Sequence, residues 1–472
     1  MKDFSQASYT AIISDLHLCE AEPENKKHPL WKKYKTKEFF FDEDFAKFLL
    51  GLEKEAGDEK VELILNGDIF DFDSVTAIPQ HPIFRISWLE KKRGLNPQQA
   101  KSVFKMNHIL SFHKKWITSL REFILRDNKV IIIIGNHDLE MHFPDVKRAF
   151  LKHLALPEKY NDNLRFNDWF YISNKDTLVE HGNQYDPYCV IEDPTAPFIR
   201  RFNLIEVKVP FGNMATRYMI NGMGFFNPHD DRNYLMSASE YIKFFIKYML
   251  RAQPLLVFSW FWGSVTILIK SFINRLRPKV RDPFNIEDNY SYIARKANAT
   301  PRMVRELKEL FIDPASSNPI LIARELWLDR AFILLMGLIL IFQIFLFVDR
   351  VYDISLFWTF IPILIFSPFF MFYSKSVVSS VHDFKEPHER TLSAQGLIAG
   401  VSRIVYGHTH NALHQMIGPI EHLNSGTWSP AFLDVECTKK VGKLSFVWIK
   451  PKEDGQREAE LMYFSEDQFK PH

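Results

Sequence analysis

Five short polar motifs, each set just behind an apolar β-type run, constrain this chain more than any other feature. Asp15 and His17 stand in SDLHL after YTAII, and Asp68 stands in LNGDIFD after VELIL. Asn136 and His137 stand in IIGNHD after VIIII, and His181 stands in VEHG after DTLVE. His408 and His410 stand in GHTH after RIVY. A short apolar run bounded by turn residues reads as a buried strand. The polar residues behind it then lie at the strand's carboxyl end, where open α/β sheets place their ligand sites. Five such tips can gather carboxylates, imidazoles and one amide into one pocket.

The chemistry of that set is metal binding. Asp, Asn and His are oxygen and imidazole donors, and no Cys is among them, so a thiolate-type structural zinc site is excluded. The mixture suits Mn, Fe, Zn or Co, and affinity order alone does not choose between them. Two ions about 3.5–4 Å apart can clamp the attacking and leaving oxygens of an in-line phosphoryl displacement. One carboxylate must then be shared, and a bridging water must become acidic enough to give hydroxide near neutral pH.

In order and local form the motifs D-x-H, G-D-x-x-D, G-N-H-D, H-G and G-H-x-H resemble the calcineurin-like metallophosphoesterase family, over roughly residues 8–190 and 395–450. The resemblance implies a four-layer α/β/β/α sandwich. It implies that Asp15, His17 and His410 bind a first metal, that Asn136, His181 and His408 bind a second, and that Asp68 bridges. Manganese is the first expectation for both ions. His137 would face the substrate phosphate, stabilising it or protonating the leaving oxygen, and Asp71 would hold that imidazole in place. Asp138 either shares that support or caps the turn. Within the family, SDLHL, NGDIFD, HGNQYD and GHTH look most like UDP-2,3-diacylglucosamine hydrolases, which cleave a pyrophosphate in a lipid-bearing nucleotide. Those enzymes usually carry Arg where His137 stands, and they are much shorter than this chain.

The 472 residues are enough for two or three domains. The net charge of +2 gives no electrostatic case for nucleic acid as a partner. Cys19, Cys189 and Cys437 are few, odd in number and widely spaced, which suits a reducing compartment rather than a disulfide framework. The first strand begins almost at the amino terminus, leaving no room for a secretory signal peptide. Helical spacing of Phe41, Phe45, Phe48, Leu49 and Leu52 predicts a helix over 39–56, stopped by Gly57. A second amphipathic helix is expected over 99–127. Strand and helix alternate up to the third run, predicting a parallel βαβαβ core. Residues 432–449 read as a hairpin. His414 and His422 read as surface or core histidines rather than ligands.

The catalytic domain is therefore expected over 1–190 and 395–472, interrupted by a mainly helical insertion at 191–394. Ala331–Val348 and Ile354–Tyr373 are uncharged runs of bilayer length, joined by five residues, and read as a transmembrane hairpin over 331–373. Two buried core helices are the alternative. A third run, 255–269, is shorter and dense in aromatic residues. Ligands cannot meet across a bilayer, so the chain must cross an even number of times between His181 and His408. Two crossings satisfy that. The 255–269 run is then an interfacial or re-entrant segment, with Lys270, Arg275, Arg277, Lys279 and Arg281 on anionic headgroups. A buried helix is the alternative here too. Arg324, Arg330 and Lys375 flank the hairpin, so the positive-inside rule puts the catalytic domain in the cytosol, at the cytoplasmic membrane. A basic stretch from Arg295 to Lys308 reads as a lipid- or polyanion-contacting helix or a solvated face. The polar NPHDDRNY around His229 reads as a loop.

The expected activity is hydrolysis of a phosphoester or pyrophosphate on a phosphorylated, membrane-linked substrate. A membrane-anchored scaffold without turnover and a cyclic-nucleotide phosphodiesterase are the other readings.

Overall fold

The apolar runs are apolar throughout because both faces of their strands are covered. In the computed structural model, which describes residues 4, 6–224, 243, 246–247, 256–280, 286–377 and 386–472, two sheets stack face to face. The stretch around His229 lies outside the described residues. The first sheet is built on β1 (Tyr9–Ile13), β2 (Val61–Asn66), β3 (Lys129–Ile133) and β4 (Leu164–Asn167), all parallel. The second is built on β5 (Phe170–Ser173) and β6 (Thr177–Glu180). A two-stranded ribbon follows, β7 (Phe198–Arg201) with β8 (Leu204–Val207). The second sheet is completed by β9 (Arg403–Tyr406), β10 (Leu413–Ile417) and β11 (Ile420–Asn424), with β6, β9 and β11 parallel. The first is completed by β14 (Leu444–Pro451), β15 (Arg457–Ser465) and β16 (Gln468–Pro471), antiparallel, with β14 beside β1.

Period-two alternation assigns each side chain to a layer. Ile12, Ile64, Ile131, Val179, Val405 and Leu423 fill the space between the sheets. Ala11, Ile13, Leu63, Leu65, Val130 and Ile132 point the other way, onto helices Asp42–Ala56, Gln99–Phe112, Lys114–Leu125 and Pro144–Leu154. Phe170, Leu178, Ile404 and Tyr406 point outward from the second sheet, onto helices Ile286–Lys296, Pro301–Lys308 and Glu389–Ala399. The result is the four-layer α/β/β/α sandwich. Two helices of its outer layer are drawn from within 191–394.

Local expectations are met or corrected by packing. Phe45, Phe48, Leu49 and Leu52 are buried on one face of Asp42–Ala56, and Gly57 follows with φ 61°. The single helix expected over 99–127 is instead two helices, broken at His113. Both ring nitrogens of His113 are engaged, Nδ1 with Asp42 Oδ1 at 2.8 Å and Nε2 with the Cys19 carbonyl at 2.9 Å, which fixes the chain at the break. The hairpin read over 432–449 is only the two-residue pair β12 (Ala431–Phe432) and β13 (Lys440–Val441). The long hairpin is β14–β15, because β14 must also lie against β1.

Two helices, Leu328–Tyr352 and Phe360–Ser376 (the latter led by a 3-10 turn, Leu356–Thr359), pack on each other and are long and apolar enough to cross a membrane. Their most apolar windows are 6% and 0% buried, which no core helix of a soluble protein would be. Helix Leu256–Leu276 is intermediate. Ser264, Ile267 and Ser271 are buried, whereas Phe258, Trp262, Ile269, Phe272 and Leu276 are exposed.

Candidate metal centre

The turns behind β1, β2, β3, β6 and β9 converge at one end of the two sheets. Five of the candidate ligands hold a left-handed backbone: Asp15 (φ 53°), His17 (47°), Asp68 (52°), His408 (66°) and His410 (57°). An L-residue pays roughly 1–2 kcal/mol for that conformation, and such outliers persist where the surrounding structure enforces them, often at functional sites. What enforces them is contact between motifs. The Asp15 amide donates to the Gly67 carbonyl at 3.1 Å, and His17 to that of Asp68 at 2.9 Å. The His408 amide donates to Asp15 Oδ2 at 3.0 Å, and the His137 amide to Asp68 Oδ1 at 2.7 Å. Gly135 and Gly407 permit this crowding, since a Cβ on Gly135 would strike the Asp68 carboxylate and one on Gly407 would strike Ser14 and Asp15.

The side chains form overlapping sets. Asp15, His17 and His410 lie together, with His410 Nε2 3.2 Å from Asp15 Oδ1 and 3.2 Å from His17 Nε2. Asp68, His181 and His408 form a second set, with His181 Nε2 3.2 Å from Asp68 Oδ2. Asp68 also stands 4.0 Å from His17 Nε2, so it lies between the two sets. His181 Nδ1 donates to the Asn66 carbonyl at 2.8 Å, since a carbonyl only accepts, and this leaves Nε2 as the nitrogen turned toward Asp68.

The donors fit a pair of divalent cations. Asn136 Oδ1 is buried with no hydrogen-bond donor among the described residues, while its Nδ2 is tied to Asn213 Oδ1 at 3.3 Å. An amide oxygen held in that way is an unfilled acceptor, and burying one costs on the order of 1–3 kcal/mol. Burial by itself would raise the Asp15 carboxyl, but His410 and His181 outweigh it and hold the group below the usual carboxylate range. Burial opposes Asp68 in the same way, and His181 and His137 hold it well below that range. Two ionised carboxylates among neutral-capable imidazoles and a free amide oxygen make an anionic, oxygen- and nitrogen-rich cage.

His137 stands at the edge of this cage. Burial would lower its imidazole, but Asp68, Asp71 and Asp73 push it up to about 10. Its Nδ1 lies 3.3 Å from Asp71 Oδ1. Asp138 is engaged by backbone amides. Its carboxylate accepts from the Gly135 amide at 2.6 Å and the Ile69 amide at 2.9 Å, stitching the second and third motifs together as a turn-capping aspartate does. His414 is exposed beside Glu421, and His422 is buried against Glu386; neither joins the ligand sets.

Four contributors escaped the motif reading, Asp73 beside His137 among them. Asp186, five residues past His181, lies 2.9 Å from His408 Nε2. Its signal was present in HGNQYD. Glu386 follows the hairpin helices and holds Thr409, between the two GHTH histidines, at 3.0 Å, together with Asn424 at 2.9 Å and His422 at 3.0 Å. Asn213 donates to the Asn136 carbonyl at 2.8 Å. Nothing local marks Glu386 or Asn213, because both act across large sequence separations.

No curated protein matches the chain. Residues 9–214, which carry the first four motifs, match the family model for calcineurin-like phosphoesterase. That match, and the carboxylates and imidazoles gathered at the strand ends, support the metallophosphoesterase family for this chain.

Proposed function

We propose that the protein is a dimetal-dependent phosphoesterase that hydrolyses a phosphoester or pyrophosphate carried by a membrane-linked substrate. The observation that carries the first half is the convergence of Asp15, His17, Asp68, Asn136, His181, His408 and His410 from five separate strand ends, with the Asn136 oxygen left to accept. Asp15, His17 and His410 would hold one ion, and Asn136, His181 and His408 the other, with Asp68 shared. Manganese is the favoured metal, with iron, zinc or cobalt as alternatives that the donor set suits as well. When bound, the ions supply Lewis acidity toward the phosphoryl oxygens and an activated nucleophile.

The chain's own residues do the rest. The His137 imidazole, flanked by Asp68, Asp71 and Asp73, is kept able to donate a proton, and it faces the position of a substrate phosphate or its leaving oxygen. Asp71 fixes the ring's orientation. Asp186 does the same for His408.

The second half rests on the hairpin. Helices with 6% and 0% of their apolar windows buried need another apolar phase, and a bilayer supplies it. Two crossings return the chain to the side on which His181 lies, as the joint approach of His181 and His408 requires. The exposed aromatic residues of Leu256–Leu276, followed by Arg275, Arg277 and Lys279, suit the headgroup plane of the same membrane. Flanking basic residues favour the cytosolic face of the cytoplasmic membrane. Tethering raises the local concentration of a lipid-borne substrate. Among such substrates a lipid-bearing nucleotide pyrophosphate like UDP-diacylglucosamine is favoured by the SDLHL, NGDIFD, HGNQYD and GHTH forms.

The test is hydrolysis by the full chain in detergent with Mn²⁺, offered p-nitrophenyl phosphates, cyclic AMP and lipid pyrophosphates. Asp68→Ala is expected to lower the rate about 10³-fold or more, since it removes several kcal/mol of transition-state stabilisation. An inactive parent, or a variant as active as the parent, would leave the scaffold reading in its place.

A further inference from the structure

The segment just past β8 makes an uncommon set of contacts with the catalytic loops. It runs as helix Phe211–Ala215, a π-helical turn at Thr216–Ile220, and Asn221–Met223. π-turns are rare and recur at functional sites. Asn213, Arg217 and Asn221, four residues apart, all reach one residue, Asp73. Asn213 Nδ2 donates to Asp73 Oδ2 at 2.6 Å, Arg217 Nη2 lies 2.8 Å from Asp73 Oδ1, and Asn221 Nδ2 donates to the Asp73 carbonyl at 2.7 Å. Asp73 in turn stands 3.8 Å from His137 Nδ1, beside Asp71.

The cost of this arrangement is high. Arg217 and Asp73 are each 1% exposed, and Glu140 at 3.4 Å and Lys105 complete a buried charged cluster. Desolvating such groups costs several kcal/mol per ion, and apolar packing of the same volume serves stability as well or better. A fold needs no arginine here for stability alone. Arg217 also lies beyond residue 214, where the family match ends.

We infer that Arg217 is a positioning residue: it locks the Asp73 carboxylate, which with Asp71 fixes the His137 imidazole toward the reacting phosphate. The inference rests on the phosphoesterase reading. One nitrogen, Nη2, faces both Asp73 and Glu140, and an Arg suits the task better than a Lys because a buried guanidinium keeps its charge where a buried ammonium readily loses it.

The experiment measures kcat and KM of the full chain in detergent on p-nitrophenyl phosphate with Mn²⁺. The variants are Arg217→Met and Arg217→Lys, each in the parent and in a His137→Ala background. Arg217→Met is expected to lower kcat about 10–100-fold, the usual effect of losing a supporting partner, with KM within about twofold. Arg217→Lys is expected to recover part of that loss. In the His137→Ala background the arginine change should cost nothing further, because residues acting in series are not additive. The inference is overturned if kcat is unchanged, or if the same factor is lost in both backgrounds. If Arg217→Met does not fold, Arg217→Lys combined with Asp73→Asn reads the same coupling: additive losses overturn it and non-additive losses support it. A parent inactive on every substrate, or one insensitive to Asp68→Ala, removes the phosphoesterase reading itself and this inference with it.

Discussion

Strand β2 and helix Leu328–Tyr352 are both rich in Leu and Ile, yet they meet opposite surroundings. Every residue of β2 is buried, half against helices and half against the second sheet. In the helix the most apolar window is 6% buried, with Leu340 at 61% exposure and Phe347 at 74%. The difference teaches that apolar content does not specify burial. A strand cannot satisfy its backbone alone, so it must find neighbours, and those neighbours cover its faces. A helix satisfies its backbone internally, so its apolar surface can be left for lipid.

The comparison can be broken at matched leucines. Leu63→Ala in β2 should cost about 2–5 kcal/mol, the range for a large-to-small core change. Leu340→Ala in the hairpin should leave thermal stability of the detergent-solubilised chain within about 0.5 kcal/mol, as exposed changes do. Equal losses, read by thermal unfolding, would mean that Leu340 packs in a protein core. Leu340→Arg asks the complementary question. A charge at the centre of a spanning helix costs about 2.5–3.5 kcal/mol of insertion. The membrane-retained fraction after carbonate extraction should therefore fall. An unchanged fraction would show that this helix does not cross.

The smallest expected effect lies between the two sheets. Asp176, on the β5–β6 turn, is bound by Arg457 of β15, with Nε 2.8 Å from Oδ2. Burial would raise the Asp176 carboxyl, but the Arg457 bonds and charge hold it below its ordinary value. A carboxyl depressed on folding stabilises the protein above its unfolded pKa, ordinarily 3.8, and loses that contribution as pH falls through the lower folded value. Between about pH 5 and 2 the parent should therefore lose more stability than Asp176→Asn. Parallel acid-unfolding curves for the two would remove this ion pair from the forces joining the sheets.

Much of the site was legible because each motif is local. SDLHL, GDIFD, GNHD, HG and GHTH each announce donors at the end of an apolar run, and a strand end is a predictable place. The hairpin was legible for the same reason: length and the absence of charge are properties of one segment. The break at His113 was not, because it is made by Asp42 and the Cys19 carbonyl, both distant in sequence. Nor was the use of Ile286–Lys296 and Pro301–Lys308 as an outer layer of the sandwich, since an amphipathic helix does not state which sheet will cover it.

By itself, then, the order of residues determined which polar side chains stand at the strand ends and where the two long apolar helices run, all of which depend on neighbours a few positions apart. Only the tertiary structure decided which of these side chains come together, that Asp186 and Glu386 brace the GHTH turn, and that Arg217 reaches Asp73. Those are meetings of side chains more than a hundred residues apart, or across a loop closure, and their energies exist only once the two sheets and the segment beyond them have packed.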